Sequence, residues 1–154
     1  VVNVDRETGG VKVERYLAAY DVGVAVNPML VEGQIAGSMV QGLGGALFEE
    51  FIYDDSGTPL SVTFADYMQP TAHEVPRIDV LITEDAPSPL NPLGLKGAGE
   101  SGITAVGAAI ASAIDDAIGI PGAVTQLPVT PMRLKKILNR ASSIKVDVTA
   151  DKRR

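Results

Sequence analysis

The chain has 154 residues, of which 45% are hydrophobic and 21% are charged, a balance typical of one globular domain with its own core. The net charge of -6, with lysines and arginines scattered along the sequence, argues against nucleic acid or an anionic membrane as a partner. With no cysteine, the chain excludes disulfides, iron–sulfur ligation and thiolate zinc within itself, and its one histidine leaves no His-based metal cluster and no obvious Ser/His hydrolase pair.

The first part of the sequence predicts a β-hairpin and then a long helix. Residues 1–5 and 11–20 alternate between apolar and polar side chains or are rich in β-branched residues, and the residues between them are of types that favour turns. The second strand is expected to continue to Asp21. Asn27 followed by Pro28 is a typical helix start, and the helix is predicted over residues 28–49. Because the sequence begins with a predicted strand and without Met, we expect the chain to be part of a longer protein.

This predicted helix is unusually rich in glycine, at positions 33, 37, 42, 44 and 45. Each glycine costs about 1 kcal/mol relative to alanine in an exposed helix interior, so we expect something to pack against the bare backbone. Gln34, Ser38 and Gln41 form one polar line along the same face. Two interpretations stay open: tight packing against another element, or a cofactor or substrate that lies across the glycines and hydrogen-bonds to an amide.

The middle of the chain predicts strands over residues 51–53, 60–64 and 77–83, with a turn between the first two. His73 precedes the third strand, and no carboxylate or nucleophile stands at a spacing that would make it a catalyst. The loop that follows, residues 84–95, is long for a compact domain, which is typical of functional loops.

A second helix is predicted over residues 103–118, after the glycine-rich segment LKGAGESG at residues 95–102. It is apolar nearly all round, so we expect it to be buried. Glu100 precedes its N-terminus, where backbone N–H groups favour a carboxylate. These residues alone favour a glutamate that helps to cap the helix over one that acts as a general base.

A last helix is predicted over residues 131–140, with Pro131 at its first position. Residues 141–154 are charged and lack periodicity, so they are expected to form a disordered tail after a domain of residues 1–140. The expected fold class is α+β, with mixed or antiparallel strands packed on two glycine-rich helices.

Three ordered segments of the chain resemble one known family. They are DVG at residues 21–23 with Asn27-Pro28, VEGQIAG at residues 31–37 continuing to VQGLG at residues 40–44, and GLKGAGESG at residues 94–102. Together they resemble the C-terminal part of the large subunit of molybdenum hydroxylases, the family of xanthine dehydrogenase, aldehyde oxidase and aerobic carbon monoxide dehydrogenase. The resemblance implies the fold of a molybdopterin-binding domain.

The resemblance also implies roles for individual residues. Glu100 stands where the family has its catalytic glutamate, the base that deprotonates the Mo–OH group so that its oxygen can attack an electron-poor carbon. With the family in view, catalysis becomes the preferred role of Glu100. Gln34 stands where the family has a glutamine within hydrogen-bonding reach of the molybdenum centre or its pterin. Lys96, Gly97 and Gly99 belong to the loop that places the glutamate and support cofactor binding. No residue is assigned as a metal ligand.

For the whole protein, the resemblance implies a large subunit that hydroxylates an aldehyde, an N-heterocycle or carbon monoxide with water as the oxygen source. The expected cofactor is molybdopterin, in its cytosine dinucleotide form. FAD and iron–sulfur clusters are expected on a medium and a small partner subunit. Because 154 residues cannot enclose the cofactor without the remainder of the large subunit, the isolated chain is expected to bind none and to be inactive.

Two hypotheses from other classes stand beside this one. The first is a non-catalytic structural or assembly module that keeps the fold without the cofactor. The second is a phosphate- or nucleotide-binding module, which is disfavoured because no Lys-Ser/Thr follows the glycines and no strand immediately precedes them. The sequence predicts no apolar run long enough to cross a bilayer and no signal sequence at its start, so a cytoplasmic location is expected.

Overall fold

In the computed structural model, residues 1–151 are described, with side chains described as far as residue 141. This part of the chain is α+β and contains two small sheets and four helical segments. In chain order the elements are β1 (Val2–Val4), β2 (Val11–Val13), β3 (Arg15–Asp21), α1 (Pro28–Leu47), β4 (Arg77–Thr83), α2 (Ser101–Thr104), α3 (Val106–Ile118) and α4 (Pro131–Asp151).

The N-terminal hairpin is confirmed for its first half. β1 and β2 pair antiparallel, with Asn3 opposite Lys12. The predicted continuation of the second strand to Asp21 is wrong, because the chain leaves this sheet after β2. β3 instead pairs in parallel with β4, with Arg15 opposite Arg77. A parallel partner must come from a distant part of the sequence, so the alternation within residues 15–21 could not reveal it.

Between α1 and β4 the chain is less regular than predicted. The expected turn is present, because the side chain of Asp54 accepts hydrogen bonds from the backbone N–H groups of Ser56 and Thr58, both at 2.9 Å. The strands predicted on either side of it are wrong, since only a single bridge joins Tyr53 to Pro59 in this described segment. The apolar side chains of this segment have no surface to pack against, and Phe64 is 84% exposed. Two short strands that pack against nothing are only marginally stable, which explains why no β-ladder forms here.

The start of α1 agrees with the prediction, and one side of the helix enters the core. The side chain of Asn27 accepts a hydrogen bond from the backbone N–H of Leu30 at 3.2 Å, which caps the first turn. The helix ends at Leu47, two residues before the predicted end. The core joins α1, α3, α4 and the hairpin. Its largest fully buried side chains include Ile35, Met39, Leu43, Ile110, Ile114 and Leu134.

The helix predicted over residues 103–118 is two helices, α2 and α3, which meet at Ala105. The hydroxyl of Thr104 donates to the carbonyl oxygen of Glu100 at 3.2 Å, a bond to the residue four positions earlier that is known to bend helices. The expectation of burial on every side is wrong for this chain. The side chains of α3 that face the core are Val106, Ile110, Ile114 and Ile118, whereas alanines on its other side are exposed, because no described element covers them.

Ser101–Ile118 is also long and apolar enough to cross a membrane by length and composition, contrary to the sequence-based expectation. The core helix of a soluble protein meets the same criterion. Here the segment is divided at Ala105, and α3 supplies four buried side chains to the core. Its composition therefore carries no conclusion about a membrane.

The last helix begins at Pro131, as predicted, but it continues to Asp151. Residues 141–151 therefore lie in α4 where the sequence predicted a disordered tail. Residues 152–154, which belong to the same prediction, lie outside the described residues.

Truncation of the core where α3 packs on α1 is expected to destabilise the fold measurably. Ile114 is fully buried, so Ile114→Val removes one methylene from a close-packed site and should lower the free energy of unfolding by about 1 kcal/mol. The same exchange at Ile52, which is 48% exposed, should have a much smaller effect. Urea unfolding of the two variants tests this, and equal losses would contradict the assigned core.

Candidate functional site

The glycine-rich loop that joins β4 to α2 is fixed against α1 at its C-terminal end. A Cβ atom on Gly102 would stand 2.2 Å from the carbonyl oxygen of Ile35 and 2.8 Å from the backbone nitrogen of Met39. Only glycine lets α2 approach α1 this closely. The adjacent Ser101 is buried, and its hydroxyl donates to the carbonyl oxygen of Ala98 at 2.7 Å. The end of the loop is therefore anchored on α1.

The loop is anchored a second time at Lys96, on the turn that follows β3. The backbone N–H of Lys96 donates to the carbonyl oxygen of Val22 at 3.0 Å, and its Nζ lies 3.4 Å from Oδ1 of Asp21. Gly23 has a φ of 70°, and a Cβ there would stand 2.1 Å from the carbonyl oxygen of Gly94. Lys96, predicted to support the cofactor site, thus has its side chain directed to Asp21.

Glu100 lies in the exposed stretch between the two anchors. It precedes α2, but its side chain does not cap the helix, so the capping role that the residues alone favoured is wrong. Gln34 extends from α1 to the same stretch, since its Oε1 lies 4.0 Å from the Cβ position of Gly99. Among the described residues, neither side chain has a hydrogen-bond or ion-pair partner. The structure therefore places Gln34 beside the residue that precedes Glu100.

The glycines of α1 have two different environments. A Cβ on Gly42 would stand 2.7 Å from the side chain of Val106, so this glycine serves the close packing of α1 on α3. At Gly33 and Gly37, nothing lies within 4 Å of the Cβ position, and the same holds at Gly97 in the loop. At these three glycines the backbone therefore borders space that the described part of the chain leaves open.

Asp21 is a functional candidate that sequence reasoning missed. Its Oδ1 accepts the backbone N–H of Gly23 at 2.8 Å, and its Oδ2 accepts that of Ala86 at 2.9 Å. The hydrogen bond from Gly23, followed by the charge of Lys96, holds the pKa of Asp21 below its ordinary value. The signal in the sequence was Asp-x-Gly, which is typical of a turn closed by an aspartate side chain.

His73 lies outside this site, in a cleft lined also by Val13, Phe48 and Arg77. In the described region, no group of three or more His, Asp or Glu side chains could hold a metal ion. The groups between the two anchors are the carboxylate of Glu100, the amide of Gln34 and exposed glycine backbone.

Several known proteins resemble this chain. The family described as the molybdopterin cofactor-binding domain matches residues 1–76, a range that includes Gln34 and ends before the glycine-rich loop. The 6-hydroxypseudooxynicotine dehydrogenase complex subunit gamma of Paenarthrobacter nicotinovorans is 50% identical over 133 residues, which are 86% of this chain and 17% of that protein. The carbon monoxide dehydrogenase large chain of Afipia carboxidovorans is 35% identical over 138 residues, which are 89% of this chain and 17% of that protein.

The structural similarity extends beyond residue 76. The crystal structure of quinoline 2-oxidoreductase from Pseudomonas putida 86 matches 90% of this chain with a TM-score of 0.84 and 39% sequence identity. The match covers 18% of that enzyme's chain. The chain therefore spans less than a fifth of the length of these relatives.

Proposed function

Because the chain belongs to the molybdopterin cofactor-binding family of molybdenum hydroxylase large subunits, we propose that it forms one side of the cofactor site of such a subunit, with Glu100 as the catalytic base. The complete large subunit would oxidise a small substrate with water as the oxygen source. The chain contributes to this activity and does not carry it alone, since it spans 17% of its curated relatives.

One observation carries the proposal. Glu100 and Gln34 have no partner among the described residues, yet they stand on two elements that a glycine contact holds together. A polar side chain left unengaged beside bare backbone is available to a ligand. The backbone at Gly33, Gly37 and Gly97 borders open space among the described residues. Without a Cβ at these positions, a flat cofactor could approach the backbone closely.

The residues of this chain have separate roles in the proposed site. When bound, the molybdenum cofactor supplies the two-electron redox chemistry and the transfer of oxygen. The carboxylate of Glu100 accepts the proton that is released as water-derived oxygen passes to the substrate. The amide of Gln34 donates and accepts hydrogen bonds that orient the cofactor. Gly97 and Gly99 keep the approach clear, and Lys96 anchors the loop that carries Glu100.

We extend the proposal to the substrate class. Of the three classes expected from the sequence, we propose the N-heterocycles, because two relatives that match nearly the whole chain are named for such compounds. They are the nicotine 6-hydroxylase large subunit of Paenarthrobacter nicotinovorans, at 42% identity over 87% of this chain, and quinoline 2-oxidoreductase, at 39% over 90%. The carbon monoxide dehydrogenase large chain of Afipia carboxidovorans is 35% identical over 89% of this chain, and that of Hydrogenophaga pseudoflava is 43% identical over a shorter 66%.

The proposed partners are the remainder of the large subunit, an iron–sulfur small subunit and an FAD-binding medium subunit. Apolar side chains exposed here support a larger assembly, among them Leu90 at 92% and Phe64 at 84% exposure. The absence of cysteine places any iron–sulfur cluster elsewhere. We propose the cytosine dinucleotide form of the cofactor because the family segments resemble those of the bacterial three-subunit enzymes.

Exchange of the amide tests cofactor binding. In the complete large subunit, Gln34→Ala should lower the affinity for molybdopterin by about tenfold, because outer-sphere hydrogen bonds to a metal site typically contribute this much. The measurement is the molybdenum and pterin content per protein after extended dialysis. The matched control is Gln126→Ala. Gln126 is an exposed glutamine outside α1 and the loop, so this variant should retain the cofactor.

Two outcomes would contradict the proposal. Equal cofactor retention by the Gln34→Ala and wild-type proteins would remove Gln34 from the site. A wild-type large subunit that takes up no molybdenum even when assembled with its partner chains would instead favour the structural or assembly module.

A further inference from the structure

We propose that Asp21 is a positioning residue for Glu100, because it ties both ends of the preceding loop segment to the end of β3. The catalytic part of this inference rests on the function proposed above. Its structural part, that Asp21 immobilises the loop, does not.

The two oxygens of the Asp21 carboxylate contact three separate groups. Oδ1 accepts the backbone N–H of Gly23 at 2.8 Å and lies 3.4 Å from Nζ of Lys96. Oδ2 accepts the backbone N–H of Ala86 at 2.9 Å. Ala86 and Lys96 stand at the two ends of one loop segment, residues 86–96. The Asp21 side chain therefore contacts both the start and the end of this segment, and at the end it adds to the backbone bond from Lys96 to Val22.

The segment between these two contacts is held together by its own hydrogen bonds. The side chain of Asn91 donates from Nδ2 to the carbonyl oxygen of Leu95 and accepts the backbone N–H of Leu95, both at 2.9 Å. The backbone N–H of Ser88 donates to the carbonyl oxygen of Gly94 at 3.0 Å. Because of these internal bonds the segment can shift as a unit, and its position depends on contacts with the turn after β3.

The Asp21 carboxylate projects from the end of a paired strand. Asp21 is the last residue of β3 and lies opposite Thr83, the last residue of β4. The backbone N–H of Val22 then donates to the carbonyl oxygen of Thr83 at 3.0 Å. Both strands end at this point, so the carboxylate is supported by a sheet rather than by another loop.

Glu100 is close enough along the chain to depend on this anchor. Gly97, Ala98 and Gly99 separate it from Lys96, and the two glycines are conformationally permissive. The contact of Gly102 with α1 holds only the other end of the stretch. With the side chain of Lys96 released, only the backbone bond from Lys96 to Val22 would hold this end of the stretch. The carboxylate of Glu100 would then move over a wider range, and a displacement of about 1 Å can cost about a hundredfold in rate.

The Lys96–Asp21 pair is partly exposed, with side-chain exposures of 35% and 27%. Ion pairs of this kind contribute little to global stability. We therefore expect loss of the pair to change the mobility of the loop and the turnover rate more than the unfolding temperature. This separates a positioning role from a purely structural one.

The test compares variants of the complete large subunit with its partners. Asp21→Asn should accelerate hydrogen–deuterium exchange in residues 94–100 by about tenfold and lower kcat by about tenfold, with KM within about twofold and molybdenum content unchanged. Lys96→Met, which leaves both backbone bonds to Asp21 intact, should act in the same direction. The double variant should be no worse than Asp21→Asn, because both exchanges remove the same ion pair.

Asp79→Asn is the matched control. Asp79 lies in β4 beside β3 near the opposite end of the sheet, and its Oδ2 accepts a hydrogen bond from Nε of Arg15 at 2.7 Å. Its exchange should leave kcat and deuterium uptake in residues 94–100 unchanged. An equal effect of Asp79→Asn would show general loosening of the sheet and overturn the proposal.

Two further results would overturn the inference. Unchanged deuterium uptake in both the Asp21→Asn and Lys96→Met variants would show that the loop is not held by this pair. Faster uptake with normal kcat, in an enzyme that Glu100→Gln inactivates, would remove the positioning role. Failure of the proposed function has a different signature, namely normal turnover of the Glu100→Gln variant.

Discussion

Exchange of Glu100 for glutamine in the complete large subunit is expected to lower kcat by about 10²–10⁴-fold, the usual contribution of a general base. Glutamine preserves the size of the side chain but does not accept a proton at neutral pH. Because the carboxylate has no partner among the described residues, the exchange breaks no bond within this part of the chain. Molybdenum content should therefore stay at the wild-type level. Steady-state turnover together with metal analysis checks both statements.

Glu32→Gln is the control for this experiment. Glu32 is an exposed glutamate of α1, and the same exchange there should leave turnover within about twofold of wild type. Near wild-type turnover of the Glu100→Gln variant would refute the assignment of the base. Loss of molybdenum from that variant would point to a role in holding the cofactor rather than in proton transfer.

Introduction of a methyl group at Gly102 is expected to have the largest effect on stability. In the Gly102→Ala variant the new Cβ would stand 2.2 Å from the carbonyl oxygen of Ile35 and 2.3 Å from Oγ of Ser38. The first of these atoms belongs to the backbone of α1, so the contact can be relieved only if α2 moves away. We expect a loss of roughly 3 kcal/mol and a fall in Tm of roughly 6–12 °C. Thermal and urea unfolding of the chain measure these values.

Gly45→Ala is the matched control, and it should change stability in the opposite direction. Gly45 also lies in a helix, but nothing stands within 4 Å of its Cβ position. Alanine at such a site should stabilise the chain by roughly 0.5–1 kcal/mol, because the unfolded chain loses conformational freedom. Similar destabilisation by both exchanges would contradict the close approach of α2 to α1.

The parts of the fold that follow from neighbouring residues were predictable. Asn27 and Pro28 mark the start of α1 because an N-cap acceptor and a preset φ act within a single turn. Pro131 marks the start of α4 for the same reason. The hairpin of β1 and β2 also follows from local turn chemistry.

The errors of prediction concern elements that depend on distant residues. The sequence places β3 in the hairpin because alternation shows that residues form a strand but not which strand they pair with, and the partner β4 lies beyond α1 in the sequence. Composition predicts strands at residues 51–53 and 60–64, but it does not show whether a packing surface is available to them. The interruption at Ala105 accompanies a side-chain bond from Thr104 to the carbonyl oxygen of Glu100, which helical periodicity does not record.

For the site, the order of residues was enough to identify Glu100 and Gln34 as candidates, because the segments that carry them have the residue types and spacing of one family. The placement of Gln34 beside Gly99, the residue before Glu100, could not be read from the chain, since the loop is held by the contact of Gly102 with α1 and by the ion pair of Lys96 with Asp21. Both contacts join residues that are far apart in sequence. Such contacts depend on how whole elements pack, and neither residue propensity nor periodicity encodes them.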